Sequence, residues 1–231
     1  MTTNEFASGE WTDLTLDIHP EMAKMPFLPC PEIERLSEQS ETSLQVSTLS
    51  FATHIGTHVD AACHAVADGR SVEEYDVDRF VTTAVVVDVA ADALDGIPAD
   101  VLDPARSHLD RDDVDAIVLR TGWETHIDDD AYYEHPYFTQ DLADALVEAD
   151  VSWVGMDVLT PDKPPELREE GFTYPIHTTL LGNDVLIVEN MTNLAALDST
   201  LIDVAALPLP FVGADGAPMR IAAKPRADAD N

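Results

Sequence analysis

Four short runs constrain this chain more than anything else in it: TTAVVVDVA (82–90), VDAIVLRTG (114–122), VSWVGMDVL (151–159) and DVLIVEN (184–190). Each is almost continuously apolar. A strand with one wet face alternates apolar and polar residues, so an unbroken run of this length asks for cover on both faces. Between the third run and its predecessor lies TQDLADALVEAD (139–150), which opens on Thr139 as an N-cap and places Leu142, Ala145 and Leu146 at helical spacing. Strands alternating with helical segments predict an α/β fold, a single domain with a mixed β-sheet and flanking helices. WTDLTLDI (11–18) alternates as a strand, and SLQVSTLSF (43–51) reads as a strand running directly into residue 54 and beyond. MPFLPCPEI (25–33) carries three prolines and reads as an irregular loop, and LPFVGADGAPMRIAAK (209–224) as two strands around a turn containing Asp215-Gly216. The expected domain is 1–223, followed by a frayed tail, 224–231.

Charge excludes some functions. With 45 acidic residues against 12 basic, the formal net charge is −33. Phosphate recognition needs clustered Lys and Arg, so no nucleic-acid partner is expected. Such charge often signals disorder, but the apolar runs oppose that reading. What remains is a folded protein with an acidic surface, of the kind suited to molar salt, and a halophilic source is expected. No apolar run approaches the roughly 20 residues of a membrane span. MTTNEFASGEWTD has neither a basic nor an apolar leader region, so a cytoplasmic location is expected. Cys30 and Cys63 are then expected to be reduced, as small buried hydrophobes.

The chemistry concentrates in HIGTHVDAACH (54–64), which holds three of the chain's eight histidines. His54, His58, Asp60 and His64 stand at offsets of 4, 6 and 10. On an extended strand residues of equal parity share a face, so all four could point into one pocket. On a helix Asp60 would sit roughly 240° from His54 and leave the group. Gly56, Thr57 and Val59 also disfavour a helix, so an extended segment is expected. Imidazole and carboxylate are ligands for Zn²⁺, Mn²⁺ or Fe²⁺, and His54, His58 and Asp60 suffice for one ion with positions left open for substrate. His64 is either a further ligand or a proton shuttle.

HIGTHVDAACH also resembles the H-x-G-T-H-x-D-x-P-x-H motif of the cyclase family of metal-dependent hydrolases, which includes bacterial kynurenine formamidases, isatin hydrolases and similar cyclic-amide or lactone hydrolases. The resemblance extends through TDLTLDIHPEM, VLRTGW, VGMDVLTPD, HTTLLGNDVLIVENMTNL and ADGAPMRIAAK. It implies a swivelling β/β/α-type fold and two further metal ligands, His177 and Glu189. It also implies one or two divalent ions per chain, Zn²⁺ or Mn²⁺, and His64 as the catalytic proton donor and acceptor. A small-molecule substrate and a homo-oligomer, dimer or tetramer, follow from the same source.

The activity so implied is that of an arylformamidase-like amidohydrolase, acting on C–N bonds other than peptide bonds and turning N-formylkynurenine into kynurenine and formate in tryptophan catabolism. The alternatives are a cyclic amide or lactone hydrolase and, in another class, a non-catalytic metal-binding protein of the same fold. Two departures from the motif matter. Its proline is Ala62 here, and the tryptophan that formamidases carry in the early proline-rich loop is replaced within MPFLP, where Leu28 or Phe27 takes the substrate-contacting position. Asp157, after a buried strand, is a candidate for lining the pocket, and Arg120 either orients a carboxylate or makes a structural ion pair.

Overall fold

A computed structural model describes residues 11–226. In chain order its strands are β1 (Thr12–Asp13), β2 (Glu32–Ser37), β3 (Val46–Ser50), β4 (His58–Asp60), β5 (Val81–Asp88), β6 (Gly96–Ile97), β7 (Ala116–Arg120), β8 (Tyr137–Phe138), β9 (Trp153–Met156), β10 (Leu186–Glu189), β11 (Leu201–Pro208) and β12 (Gly216–Pro225). The helices are α1 (Gln39–Thr42), α2 (Arg106–Leu109), α3 (Gln140–Glu148) and α4 (Pro175–Gly182), joined by several single turns of 3-10 helix.

The four apolar runs become β5, β7, β9 and β10, which lie side by side and parallel. Val85, Ile117, Val118, Val154 and Ile187 are completely buried, as strands covered on both faces require. The full sheet has the order β1-β12-β11-β5-β7-β9-β10-β4, and β4 also pairs with β12. Three-residue β4 thus has an antiparallel neighbour on each side and closes the sheet on itself. The mixed α/β architecture is as expected; the closure is a feature that no local pattern announces. Thr139 does precede α3, but its hydroxyl donates to the Ile97 carbonyl rather than capping the helix.

Several local expectations need correction. The hairpin over 209–224 is displaced: its first strand is β11, at 201–208, and residues 209–215 form the connection. LIDVAALP alternates burial through most of its length, because β11 lies between β5 and β12 with one face of the sheet wetter there. β12 runs to Pro225, two residues past the expected domain boundary, and residues 227–231 of the expected tail lie outside the described residues. The same holds for residues 1–10 of the N-terminal stretch that lacks a leader pattern. β3 does not run into the histidine segment. It pairs only with β2, as a hairpin whose residues are nearly all exposed, Ile33, Leu36, Leu44, Val46 and Leu49 among them. Cys30 is exposed rather than buried, because its proline-flanked loop lies on the surface; Cys63 is partly buried, and both thiols are free.

Basic groups are spent on structure. Arg120 pairs with Asp88 and donates to the carbonyls of Leu194 and Leu197, which settles its role as a structural one. Arg226 ties Asp113 and Asp203 together, and Arg70 and Arg79 both meet Asp184. With 33 excess negative charges, unscreened repulsion should loosen the fold in dilute buffer; at 1 M salt the Debye length is about 3 Å and the repulsion is largely removed. Melting midpoints should therefore climb steeply between dilute buffer and molar KCl. A midpoint independent of salt would dispose of this account.

His135 supplies a separate pH dependence. It is fully buried beside Pro136, whose carbonyl lies 2.9 Å from Nδ1. Burial lowers its pKa from 6.5 to about 4, against the opposing effect of the Pro136 carbonyl and assisted by the charge of Arg168. The unfolded chain takes up a proton below about pH 6.5 that the fold refuses until about pH 4, so stability present above that window is lost as pH falls through it. Between pH 7 and pH 5 the loss from this one group is on the order of 2 kcal/mol. Chemical denaturation at both pH values should show His135→Gln with a correspondingly smaller drop than the wild type. Equal drops would mean that His135 titrates freely.

Candidate active site

The closing strand carries the site. His58 and Asp60 stand two apart on β4 and share a face, and Glu189, at the end of β10, is the cross-strand partner of His58. His177 comes from α4, whose C-terminus leads into β10. The even spacing of the motif is realised by one continuous strand only between His58 and Asp60. His54 precedes a turn in which Gly56 adopts φ +60°, and His64 ends a single 3-10 turn, Ala62–His64, closed by bonds back to Ala61 and Ala62. His54 fits because Gly216 has no side chain: a Cβ there would lie 2.8 Å from the imidazole and 2.6 Å from the Val59 carbonyl oxygen.

Asp60 is the hub. Its Oδ1 lies 2.6 Å from His54 Nδ1 and 3.3 Å from His58 Nε2, and its Oδ2 lies 3.3 Å from His177 Nε2. Glu189 reaches His58 Nε2 at 3.4 Å and His177 Nε2 at 3.5 Å. The far side of each ring is anchored. His58 Nδ1 faces the Gly56 carbonyl at 2.9 Å, His177 Nδ1 faces Asp162 at 2.7 Å, and His54 Nε2 faces Asp215 at 3.0 Å. His64 Nδ1 also faces Asp215, at 3.4 Å, and its ring lies 3.9 Å from that of His54. His58, Asp60, His177 and Glu189 are all buried; His64, about a third exposed, stands at the mouth.

The electrostatics follow from packing carboxylates and imidazoles together out of water. Burial opposes charge on His54, but Asp60 and Asp215 outweigh it and raise its pKa to about 10. Burial likewise opposes charge on His177, and the bond to Asp162 with the neighbouring carboxylates of Asp60 and Glu189 reverses the effect and raises its pKa well above the usual value. Burial would raise Asp60, yet the charge of His54, its bond to Asp60 and the nearby imidazoles of His177 and His58 hold it well below the usual carboxylate range. His64 differs: burial is the strongest influence on it, and its pKa is lowered, favouring neutral imidazole.

Three buried polar atoms at this focus have no hydrogen-bond partner: His58 Nε2, Asp60 Oδ2 and Glu189 Oε1. An unsatisfied buried polar atom costs about 1–3 kcal/mol, so three on residues that face one another call for a shared ligand. Imidazole nitrogen with carboxylate oxygen is the donor set of Zn²⁺ and Mn²⁺. His58, Asp60 and Glu189 offer donor atoms within 4.8 Å of one another, as do His54, Asp60 and His64. The residues present fit a divalent ion.

The focus opens into a cavity of about 360 Å³ lined by Met25, Phe27, Leu28 and Tyr174 on its apolar side and by Thr160, Thr173 and Thr178 on its polar side, together with His54, Asp60, His64, His177 and Glu189. Phe27 and Leu28 thus both reach the cavity. Asp157 does not. It is completely buried and accepts from the Thr121 and Gly122 amides and the Thr121 hydroxyl, bracing the turn after β7. Asp162 and Asp215 have no counterpart among the expected site residues. Asp215 lies more than 150 residues from the two motif imidazoles it faces, and Asp162 fifteen residues before His177, and spacing gives no signal of either contact.

Comparison with known proteins places this constellation. The Cyclase family model matches residues 12–163. The chain belongs to the cyclase family. The matched stretch includes the motif segment; His177 and Glu189 lie beyond it. Among cyclase-family relatives, the kynurenine formamidase of Salinibacter ruber is 31% identical over 182 residues, 79% of this chain and 81% of that protein. The kynurenine formamidase of Bacillus cereus is 30% identical over 222 residues, 94% and 99% of the two chains. Isatin hydrolase A from Ralstonia solanacearum shares the fold, with a TM-score of 0.81 at 24% identity over 94% of this chain and 92% of that one. A protein described as a predicted metal-dependent hydrolase from Bacillus stearothermophilus gives a TM-score of 0.74 at 25% identity, covering 94% and 98%. No helix among the described residues is long and apolar enough to cross a membrane.

Proposed function

We propose that this cyclase-family chain is a metal-dependent hydrolase of small aryl amides, arylformamidase-like in its choice of substrate. The observation that carries the proposal is that His58, Asp60 and Glu189, each with an unpartnered buried polar atom, offer donor atoms within 4.8 Å of one another beside an apolar-walled cavity. His54, His58, Asp60, His177 and Glu189 are the proposed ligands of one or two ions, Zn²⁺ or Mn²⁺, with Asp60 shared because its two oxygens face different histidines. A divalent ion held there supplies Lewis acidity, polarising a carbonyl oxygen and making water a stronger acid.

The chain's own groups do the rest. Met25, Phe27 and Leu28 take the aryl ring by apolar contact, leaving the amide towards Asp60 and Glu189. Asp215 engages Nδ1 of His64, so Nε2 is the atom free to act. His64 Nε2 accepts a proton from water as the C–O bond forms and returns it to the leaving nitrogen as the C–N bond breaks. The products from an aryl formamide are formate and an arylamine. Kynurenine formamidase as the name of relatives 30–31% identical supports N-formylkynurenine as the substrate. A hydrolysis panel of N-formylkynurenine, isatin and simple lactones, run in molar salt with Zn²⁺ or Mn²⁺, tests this. The formamide should be the best substrate. Preference for isatin would shift the assignment to cyclic amides, and no turnover of any panel member despite bound metal would point to a metal-binding protein without catalysis.

A further inference from the structure

Asp162 does not line the cavity, is completely buried, and lies in the segment after β9. Its Oδ1 accepts the Ile176 amide at 3.1 Å, and its Oδ2 accepts the His177 amide at 3.1 Å. These are first-turn amides of α4, which have no acceptor within their own helix. The residue at the N-cap position, Tyr174, has a left-handed backbone and provides no side-chain cap. A carboxylate from fourteen residues upstream therefore takes the role. The same Oδ2 has a third partner, and it is the closest: His177 Nδ1 at 2.7 Å. One group fixes both the helix end and the ring that the first turn carries.

We propose that Asp162 is a positioning residue for His177. It keeps the proton of that ring on Nδ1 and turns Nε2 towards Asp60 and Glu189, 3.3 and 3.5 Å away. An imidazole has two nitrogens, and a ring free to flip would present either one. A buried carboxylate on Nδ1 removes that freedom, and partners of this kind also raise the basicity of a ligating nitrogen. A simple helix cap is satisfied by the two amide bonds alone and would leave the ring unconstrained. The inference rests on the metal-binding reading of the site, though the ring geometry can be tested without it.

The test uses the full chain with Mn²⁺ or Zn²⁺ alone as probe. Ion affinity is measured by competition with a chelator for the wild type and D162A, and the ring proton of His177 is followed by ¹⁵N-edited NMR. D162A is expected to bind the ion 10–100-fold more weakly, the usual effect of losing an outer-shell partner, and to lose the low-field, hydrogen-bonded Nδ1 proton. D162A that folds, binds as the wild type does and keeps the same ring signal would overturn the proposal. Should D162A fail to fold, the wild type decides alone: a His177 ring without a hydrogen-bonded proton on Nδ1 would overturn it. A wild type that binds no ion would end the metal-binding reading, while the ring proton of the ion-free chain would still report on Asp162.

Discussion

His58→Ala should strip most of the divalent ion from the purified protein and abolish hydrolysis with it. Nδ1 of His58 is held by the Gly56 carbonyl, and Nε2 is delivered, buried and unpartnered, to the point where Asp60 and Glu189 meet. Alanine leaves the backbone pairing of β4 intact, so the sheet closure survives while one ligand disappears. The effect should exceed the 10–100-fold loss typical of an outer-shell partner, because His58 is proposed to ligate the ion directly. Asp60→Ala should do at least as much, since it removes the group facing three histidines, and it should also destabilise the fold by leaving His54 and His177 without their counter-charge. Elemental analysis on the batches used for kinetics reads the result: one to two ions per wild-type chain and few in either variant. Wild-type protein that is metal-free and fully active would refute the assignment.

The parts of this molecule that were legible in sequence are those set by local pattern. Nearly continuous apolar runs of seven to nine residues permit few solutions, and β5, β7, β9 and β10 follow from them. The pairing of His58 with Asp60 is equally local, because alternation along a strand puts residues two apart on one face. Beyond one strand the pattern fails. His54 and His64 reach the same focus through turns, enabled by Gly56 and by the missing side chain of Gly216, and neither is visible as parity. His177 and Glu189 could be singled out only through family resemblance, since a histidine near a helix start and a glutamate ending a strand have ordinary structural explanations. Asp162 and Asp215 were out of reach altogether. Asp215 read as a turn residue, and its contact with His54 depends on β12 pairing with β4 across more than 150 residues of sequence. Of the exposed β2–β3 hairpin only β3 was legible, within SLQVSTLSF; β2, EIERLS, follows a proline-rich loop and its charges mask a weak strand pattern that has no main-sheet neighbour to reinforce it.

His64→Ala should cut turnover by roughly 10²–10⁴, the usual share of a general acid or base, while leaving the ion in place. The structure sharpens this expectation by offering two roles for the residue. His64 can complete a donor set with His54 and Asp60, or it can act on protons from the mouth of the cavity. Its surroundings favour the second. Nδ1 is engaged by Asp215, the ring is about a third exposed, and the deeper set of His58, Asp60 and Glu189 contains the unpartnered atoms. Burial, the strongest influence on its pKa, lowers it, so His64 is the imidazole kept neutral at ordinary pH and able to accept a proton. Activity of the wild type should then fall as pH drops through a value below 6.5, where the base becomes protonated, and that limb should be missing from the residual activity of the variant. The Michaelis constant should change little, because the interaction lost belongs to the transition state. Were His64 mainly a ligand, the variant would lose metal in proportion to activity, and excess Zn²⁺ or Mn²⁺ would restore both. Metal content, turnover and pH profile taken on one preparation separate the two. Parallel loss with rescue would place His64 among the ligands and pass the search for the base to another group at the cavity mouth.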